Sequence, residues 1–213
     1  MKKCFAVFAV VLLFSMVAAA QDTPRMETFL GYTYVRASSA TDVPSFSANG
    51  GGGQFVYNFN KWIGAVADVG AVHNGNIDGF NLDTTFVNFL FGPRVSIRKW
   101  SLFTPYAQVF WGGVHAAGST RFDAIPVPFG AVAGDTIVVD PNQVITARVT
   151  ASETAFAMTA GGGLDIKINK HLQFRPIGLD YYMTRLQNLR APRDNNQNNL
   201  RYTAGFNFTF GAQ

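Results

Sequence analysis

From Tyr202 to Phe210 the chain alternates with period two. Tyr202, Phe206, Phe208 and Phe210, with small Ala204 between them, fall on one face, and Thr203, Gly205, Asn207 and Thr209 fall on the other. An aromatic row backed by a small polar row suits a strand standing between hydrocarbon and a polar lumen. The same alternation predicts seven earlier strands, over 26–37, 50–59, 62–74, 83–95, 102–116, 153–168 and 171–186, with the last strand starting near Asn199. The first sets Thr28, Leu30, Tyr32 and Tyr34 against Glu27, Phe29, Gly31 and Thr33. The second sets Phe55, Tyr57 and Phe59 against Gln54, Val56 and Asn58. Val87, Phe89 and Phe91 oppose Phe86, Asn88, Leu90 and Arg94 in the fourth, and Phe103, Ala107, Val109 and Trp111 oppose Tyr106, Gln108 and Phe110 in the fifth.

Most of these segments reach the roughly 9–11 residues that a tilted strand needs to cross hydrocarbon. Their connections alternate: 60–61, 96–101 and 169–170 are tight, whereas 38–49, 75–82, 117–152 and 187–198 are long and polar or rich in Gly and Pro. Short periplasmic turns with long outer loops mark a membrane-spanning barrel, and an even strand number puts both chain ends in the periplasm. The fold class expected is all-β, an eight-stranded antiparallel up-and-down transmembrane barrel. Within 117–152, Thr136–Val139 and Val144–Val149 flank Asp140-Pro-Asn-Gln143, which has turn chemistry and predicts an outer hairpin, with the second arm continuous with strand six. A ten-stranded barrel would need 118–132 to span, where Pro126 and Pro128 would each remove a ladder donor.

The amino terminus adds a destination. Lys2 and Lys3, an apolar run from Phe5 to Val17 and the small residues Ala18-Ala19-Ala20 compose a secretory signal peptide, residues 1–20, cleaved before Gln21. The remaining domain, 21–213, has no cysteine once Cys4 is removed, so disulfides and thiolate ligands are excluded. Without Lys2 and Lys3 the 17 basic residues become 15 against 13 acidic ones, a net charge of +2. No Lys/Arg cluster points to nucleic acid. Fourteen per cent aromatic content with 21 glycines suits aromatic girdles facing small lumen residues.

Several segments carry a family resemblance: Phe29-Leu-Gly-Tyr-Thr-Tyr34, Val87-Asn-Phe-Leu-Phe-Gly-Pro-Arg94, Thr104-Pro-Tyr-Ala-Gln108, Gly161-Gly-Gly-Leu-Asp165, Arg175-Pro-Ile-Gly-Leu-Asp-Tyr181 and Arg201-Tyr-Thr-Ala-Gly205. Over nearly the whole mature chain it resembles the small outer-membrane β-barrel domain family, related in architecture to the OmpA transmembrane domain. The resemblance implies the bacterial outer membrane as location and its lipid as partner. Thr203, Gly205, Phe208 and Phe210 also resemble the carboxy-terminal signal read by the barrel assembly machinery, although Gly211-Ala-Gln213 follows the final aromatic residue. The periplasmic peptidoglycan-binding domain of full-length OmpA-type proteins has no counterpart here, so its anchoring role is not carried over.

An eight-stranded barrel is just wide enough for side chains to fill it. Phe29, Phe86, Tyr106 and Phe110 face inward, with room made by Gly31, Gly64, Gly70, Gly161 and Gly163. That argues against a general porin. Asp68, Asn88 and Gln108 fall near mid-height, and Glu27, Arg94, Asp165 and Lys167 near the periplasmic end. With Asp180 they are expected to form a polar plug of hydrogen bonds and charge pairs. Arg175 and Asp180 have opposite parity in one strand, so either one is misassigned or Pro176 marks a bulge. His73 and His115 fall near the outer rim, and Ser119 and Asp123 lie close to His115 in sequence, without a nucleophile signature. Trp62, Trp100, Phe59 and Phe103 cluster at the periplasmic turns, and Tyr32, Tyr34 and Tyr181 lie toward the outer ends, as interface girdles would. The function expected is a structural or surface-interaction role in the envelope, without catalytic residue, cofactor or metal, with loops 38–49, 75–82, 117–152 and 187–198 open to an extracellular ligand. The alternatives are a narrow pore, an outer-leaflet lipid-modifying enzyme using His73 or His115, and a secreted soluble lipid-binding barrel.

Overall fold

The computed structural model describes residues 23–38, 45–75, 82–124, 145–188, 191–194 and 196–212. The expected signal segment lies outside them. Among the described residues ten strands follow in order: β1 (Pro24–Ala37), β2 (Phe46–Asn58), β3 (Ile63–Asn74), β4 (Leu82–Ser96), β5 (Phe103–Ala124), β6 (Ile145–Lys167), β7 (Leu172–Thr184), β8 (Gln187–Asn188), β9 (Ala191–Asp194) and β10 (Gln197–Ala212). Strands β1 to β7 and β10 each pair antiparallel with their neighbours, and β10 closes on β1. The result is the expected eight-stranded closed barrel. Strands β8 and β9 form a small separate sheet within the last long connection.

Two tight turns use the same device. Asn60 accepts the backbone N–H of Trp62 at 2.8 Å and of Ile63 at 2.9 Å, and Asn169 accepts that of His171 at 2.8 Å. An Asn side chain that mimics a backbone carbonyl reverses the chain within a few residues. The turns after β2, β4 and β6 all lie at one end, here the turn end, and the long connections at the other, the loop end.

One boundary is corrected. Much of 117–152 is strand rather than loop: β5 continues to Ala124 and β6 begins at Ile145, the two paired throughout. The second arm of the expected hairpin is thus continuous with strand six, as anticipated, but its described partner is Thr120–Ala124. The other arm, 136–139, lies outside the described residues. Strands β1, β2 and β10 also start two to four residues earlier than the alternation indicated.

The faces follow the sequence parity. Leu30, Phe55, Val69, Phe91, Trp111, Leu179 and Phe206 stand exposed on the outer wall, whereas Glu27, Gln54, Asp68, Arg94, Asp180 and Asn207 are buried inside. The loop-end half of the interior is capped by an apolar cluster including Val35, Val72, Leu90, Phe110, Val114 and Tyr182.

Candidate functional site

Strand pairing assembles the interior. Gln54 of β2 faces Asp68 of β3 on one rung and donates to it at 2.8 Å. Arg94 of β4 faces Gln108 of β5, its guanidinium donating to the amide oxygen at 2.7 and 3.1 Å. Arg201 of β10 faces Asp180 of β7, donating at 2.9 and 3.1 Å. Opposed side chains on one face of an antiparallel ladder lie within direct reach of each other.

The pairs then link across the lumen. Asp68 accepts from Asn88 at 2.6 Å and from Arg201 at 2.9 Å. Gln108 donates to Asp180 at 3.0 Å, and both Arg94 and Arg175 reach the side-chain oxygen of Gln54. Arg175 also forks onto Asp165 at 2.7 and 3.1 Å. Toward the turn end, Glu27 accepts from Asn58 at 2.7 Å, Asn207 at 2.8 Å and Arg98. Two guanidiniums bracket one ring: the Cζ atoms of Arg94 and Arg175 each lie 4.4 Å from the Tyr106 centroid, and Arg175 sits 4.2 Å from that of Phe29. Such stacking stabilises a desolvated cation on an aromatic face.

The network is charge-balanced. It holds the carboxylates of Glu27, Asp68, Asp165 and Asp180 and the guanidiniums of Arg94, Arg98, Arg175 and Arg201. Among the described residues Arg94 has no carboxylate within ion-pair distance, and its neighbours are amide oxygens and the Tyr106 ring. A buried ion pair offsets its desolvation only when its remaining hydrogen-bonding positions are filled. Most of them are filled here.

The parity conflict in β7 resolves as a bulge. Across from β7, Thr203 pairs with Gly178 and Gly205 with Arg175, so Pro176 and Ile177 together oppose Ala204. The Tyr202 hydroxyl donates to the carbonyl of Pro176 at 2.7 Å. Arg175 and Asp180 are therefore both buried in the lumen.

Of the residues expected inside, Glu27, Asp68, Asn88, Arg94, Gln108, Asp165 and Asp180 are buried there. Lys167 is the correction: it is exposed, because it ends β6 where the strand leaves the wall. Sequence reasoning missed Arg201 and Arg98. Arg201 has the inward parity of Thr203 and could have been found by extending that row, whereas Arg98 folds back from a turn with no period to betray it. The glycines make room for more than rings. A Cβ on Gly163 would lie 2.6 Å from the Tyr106 hydroxyl oxygen, but one on Gly161 would meet a carboxylate oxygen of Asp180 at 2.5 Å.

The expected rim histidines lie on the outer wall near the loop end. His73 contacts Thr85 Oγ1 at 3.1 Å and Asp83 at 3.2 Å, His115 contacts Thr154 Oγ1 at 2.8 Å, and Ser119 accepts from Arg148 at 2.8 Å. His73, Asp83, Ser119 and Arg148 line a cleft of about 370 Å³. His171 is exposed at the turn end.

An apolar outer wall around a charged, hydrogen-bonded interior inverts the polarity of a soluble barrel. The model of the outer membrane protein beta-barrel domain family matches residues 6–213. The chain belongs to that family. The fold is similar to that of Ail, the attachment invasion locus protein of Yersinia pestis, at 15% identity and TM-score 0.55, covering 88% of this chain and 99% of that one. Neisserial surface protein A is similar at 12% identity and TM-score 0.58, covering 91% and 100%. A structure of Ail in complex with the heparin analogue sucrose octasulfate matches at 14% identity and TM-score 0.51, covering 87% and 97%. No curated protein sequence matches the chain. Family members are outer-membrane barrels, which accounts for the row of exposed aromatic and aliphatic side chains on the outer wall.

Proposed function

We propose that the chain is an exported, integral outer-membrane barrel whose lumen is plugged, and that it serves the envelope as a non-enzymatic scaffold presenting its loop end outside the cell. The observation that carries this reading is the inversion of polarity, with Phe91, Trp111 and Leu179 exposed while Arg94, Arg175 and Asp180 are buried. In hydrocarbon every backbone polar group needs a partner, which a closed ladder supplies, and the outward row then meets lipid. The turn end lies in the periplasm, residues 1–20 act as the export signal, and Thr203, Gly205, Phe208 and Phe210 are read by the assembly machinery.

The plug reading rests on the linked charges and the apolar cap above them. The non-enzymatic reading rests on the rim: His73 and His115 bond threonines, and Ser119 is taken by Arg148. The test is gel mobility of protein from purified outer membranes, unboiled and boiled. A shift on boiling with the protein in the membrane fraction is expected. A soluble periplasmic protein without a shift would overturn the reading in favour of a ligand-binding barrel.

The loop-end cleft gives the scaffold a surface role. Arg148, with the hydroxyls of Ser119, Thr150 and Ser152 nearby, offers cationic and neutral donors to an anionic glycan. Sucrose octasulfate is the first probe, and saturable binding lost in Arg148→Gln is the expected result. Equal binding by the variant would remove this role.

A further inference from the structure

After residue 20 the chain has four lysines, Lys61, Lys99, Lys167 and Lys170. All four stand in or beside the three tight turns. Arg25 and Arg98 lie at the same end. Among the described residues this end exposes no carboxylate, since Glu27 is buried and held by Arg98. The exposed carboxylate Asp83 lies at the opposite end.

Part of this cationic rim is shaped into a cleft. Lys61 and Trp62 from the turn after β2 line a cavity of about 440 Å³ with Arg98 and Lys99 from the turn after β4. The two turns are clamped together: Arg98 donates to the carbonyl of Lys61 at 2.9 Å, and the N–H of Ser96 donates to the carbonyl of Trp62 at 2.7 Å. The Lys61 ammonium lies 5.5 Å from the Trp62 centroid. Phe59, Leu102 and Phe103 stand exposed beside these turns on the outer wall. The cleft thus joins the apolar belt, at the depth where lipid headgroups begin.

Lysine ammoniums collected without exposed counter-charges among the described residues repel one another, and an anion at the interface relieves that repulsion. We propose that this cleft is a headgroup site for an anionic phospholipid of the turn-end leaflet, with the phosphate between Lys61 and Lys99 and the glycerol against Trp62. The proposal rests on the membrane-spanning reading. Arg98, already engaged by Glu27, holds the two turns in place and leaves the lysines to meet the ligand.

The test uses the folded barrel in nanodiscs containing equal amounts of phosphatidylglycerol and phosphatidylcholine with matched chains, and counts retained lipid by native mass spectrometry. Preferential retention of phosphatidylglycerol is expected, falling about fivefold for each lysine removed in Lys61→Gln and Lys99→Gln. Lys61→Arg should restore the preference, and Arg36→Gln at the far end should leave it unchanged. Equal retention of the two lipids, or a preference untouched by the double variant, would overturn the proposal. So would displacement of the lipid by stoichiometric glycerol phosphate, which would mark a site for free phosphate. A barrel that shifts on boiling but shows no preference fails this proposal alone. A chain that never enters the disc fails the spanning reading and this one with it.

Discussion

Arg175 and Asp180 point into the same lumen although five positions separate them on one strand. Strict alternation would send one of them into the outer wall. The bulge at Pro176 and Ile177 takes up the odd residue, and the Tyr202 hydroxyl occupies the carbonyl it exposes. Arg175 thereby meets Asp165 on one side of the bulge while Asp180 meets Arg201 on the other.

Deleting Pro176 should therefore be tolerated. The shortened strand alternates strictly and keeps both charges inward, at the expense of the Tyr202 hydrogen bond. Deleting Val69 from the unbulged β3 should abolish folding, because every inward residue beyond it turns outward. Gel mobility before and after boiling reads both, and equal behaviour of the two deletions would contradict the bulge account.

Asp180→Asn should cost about 3–5 kcal/mol, the range for breaking a buried pair by removing one partner. It would strip Arg201 of one of its two carboxylates and weaken the link to Gln108. Adding Arg201→Gln should destabilise further, because Asp68 then loses its cation, but by less than Arg201→Gln does alone, since the contact with Asp180 is already gone. Urea unfolding in micelles, run as a double-mutant cycle, measures the coupling. An additive result would show the pair to be energetically idle.

Planar bilayers holding the wild-type barrel should stay electrically silent. Arg94 and Arg175 bracket Tyr106 at mid-lumen, and Phe110 lies buried in the cap above. Truncating both rings in Tyr106→Gly/Phe110→Gly should produce discrete conductance steps. Steps from the wild-type protein would remove the plugged reading.

Gly163→Ala should destabilise by about 1–3 kcal/mol, the usual effect of overpacking. Its new methyl would lie 2.4 Å from the carbonyl oxygen of Ile177 and 2.6 Å from the Tyr106 hydroxyl oxygen. Gly51→Ala is the control, with its nearest atom at 3.5 Å, and should change stability by less than about 0.5 kcal/mol. Similar unfolding midpoints for the two variants would mean that the Tyr106 site yields more readily than its packing implies.

The spanning part of the fold was legible because lipid on one side and a small lumen on the other force an alternation that residues such as Phe206 and Asn207 display plainly. Above the membrane that constraint lapses. In the outer part of β5, His115 and Ser119 share a face that no longer needs to be apolar, so the strand continued to Ala124 with no signal to announce it. The interior was legible where parity held, as at Asp68, Gln108 and Asp165. It failed at Lys167, where parity outlasts the wall, and at Arg98, which enters the lumen from a turn. Arg175 and Asp180 showed a conflict whose resolution needed the pairing of β7 with β10.

The even match of four carboxylates with four guanidiniums has an electrical consequence. A voltage across a membrane does work in proportion to the net charge it can displace. The described network carries none, so a potential pulls its acids and bases in opposite directions and moves neither while the bonds between them hold. On the plugged reading, the lumen is therefore deaf to voltage.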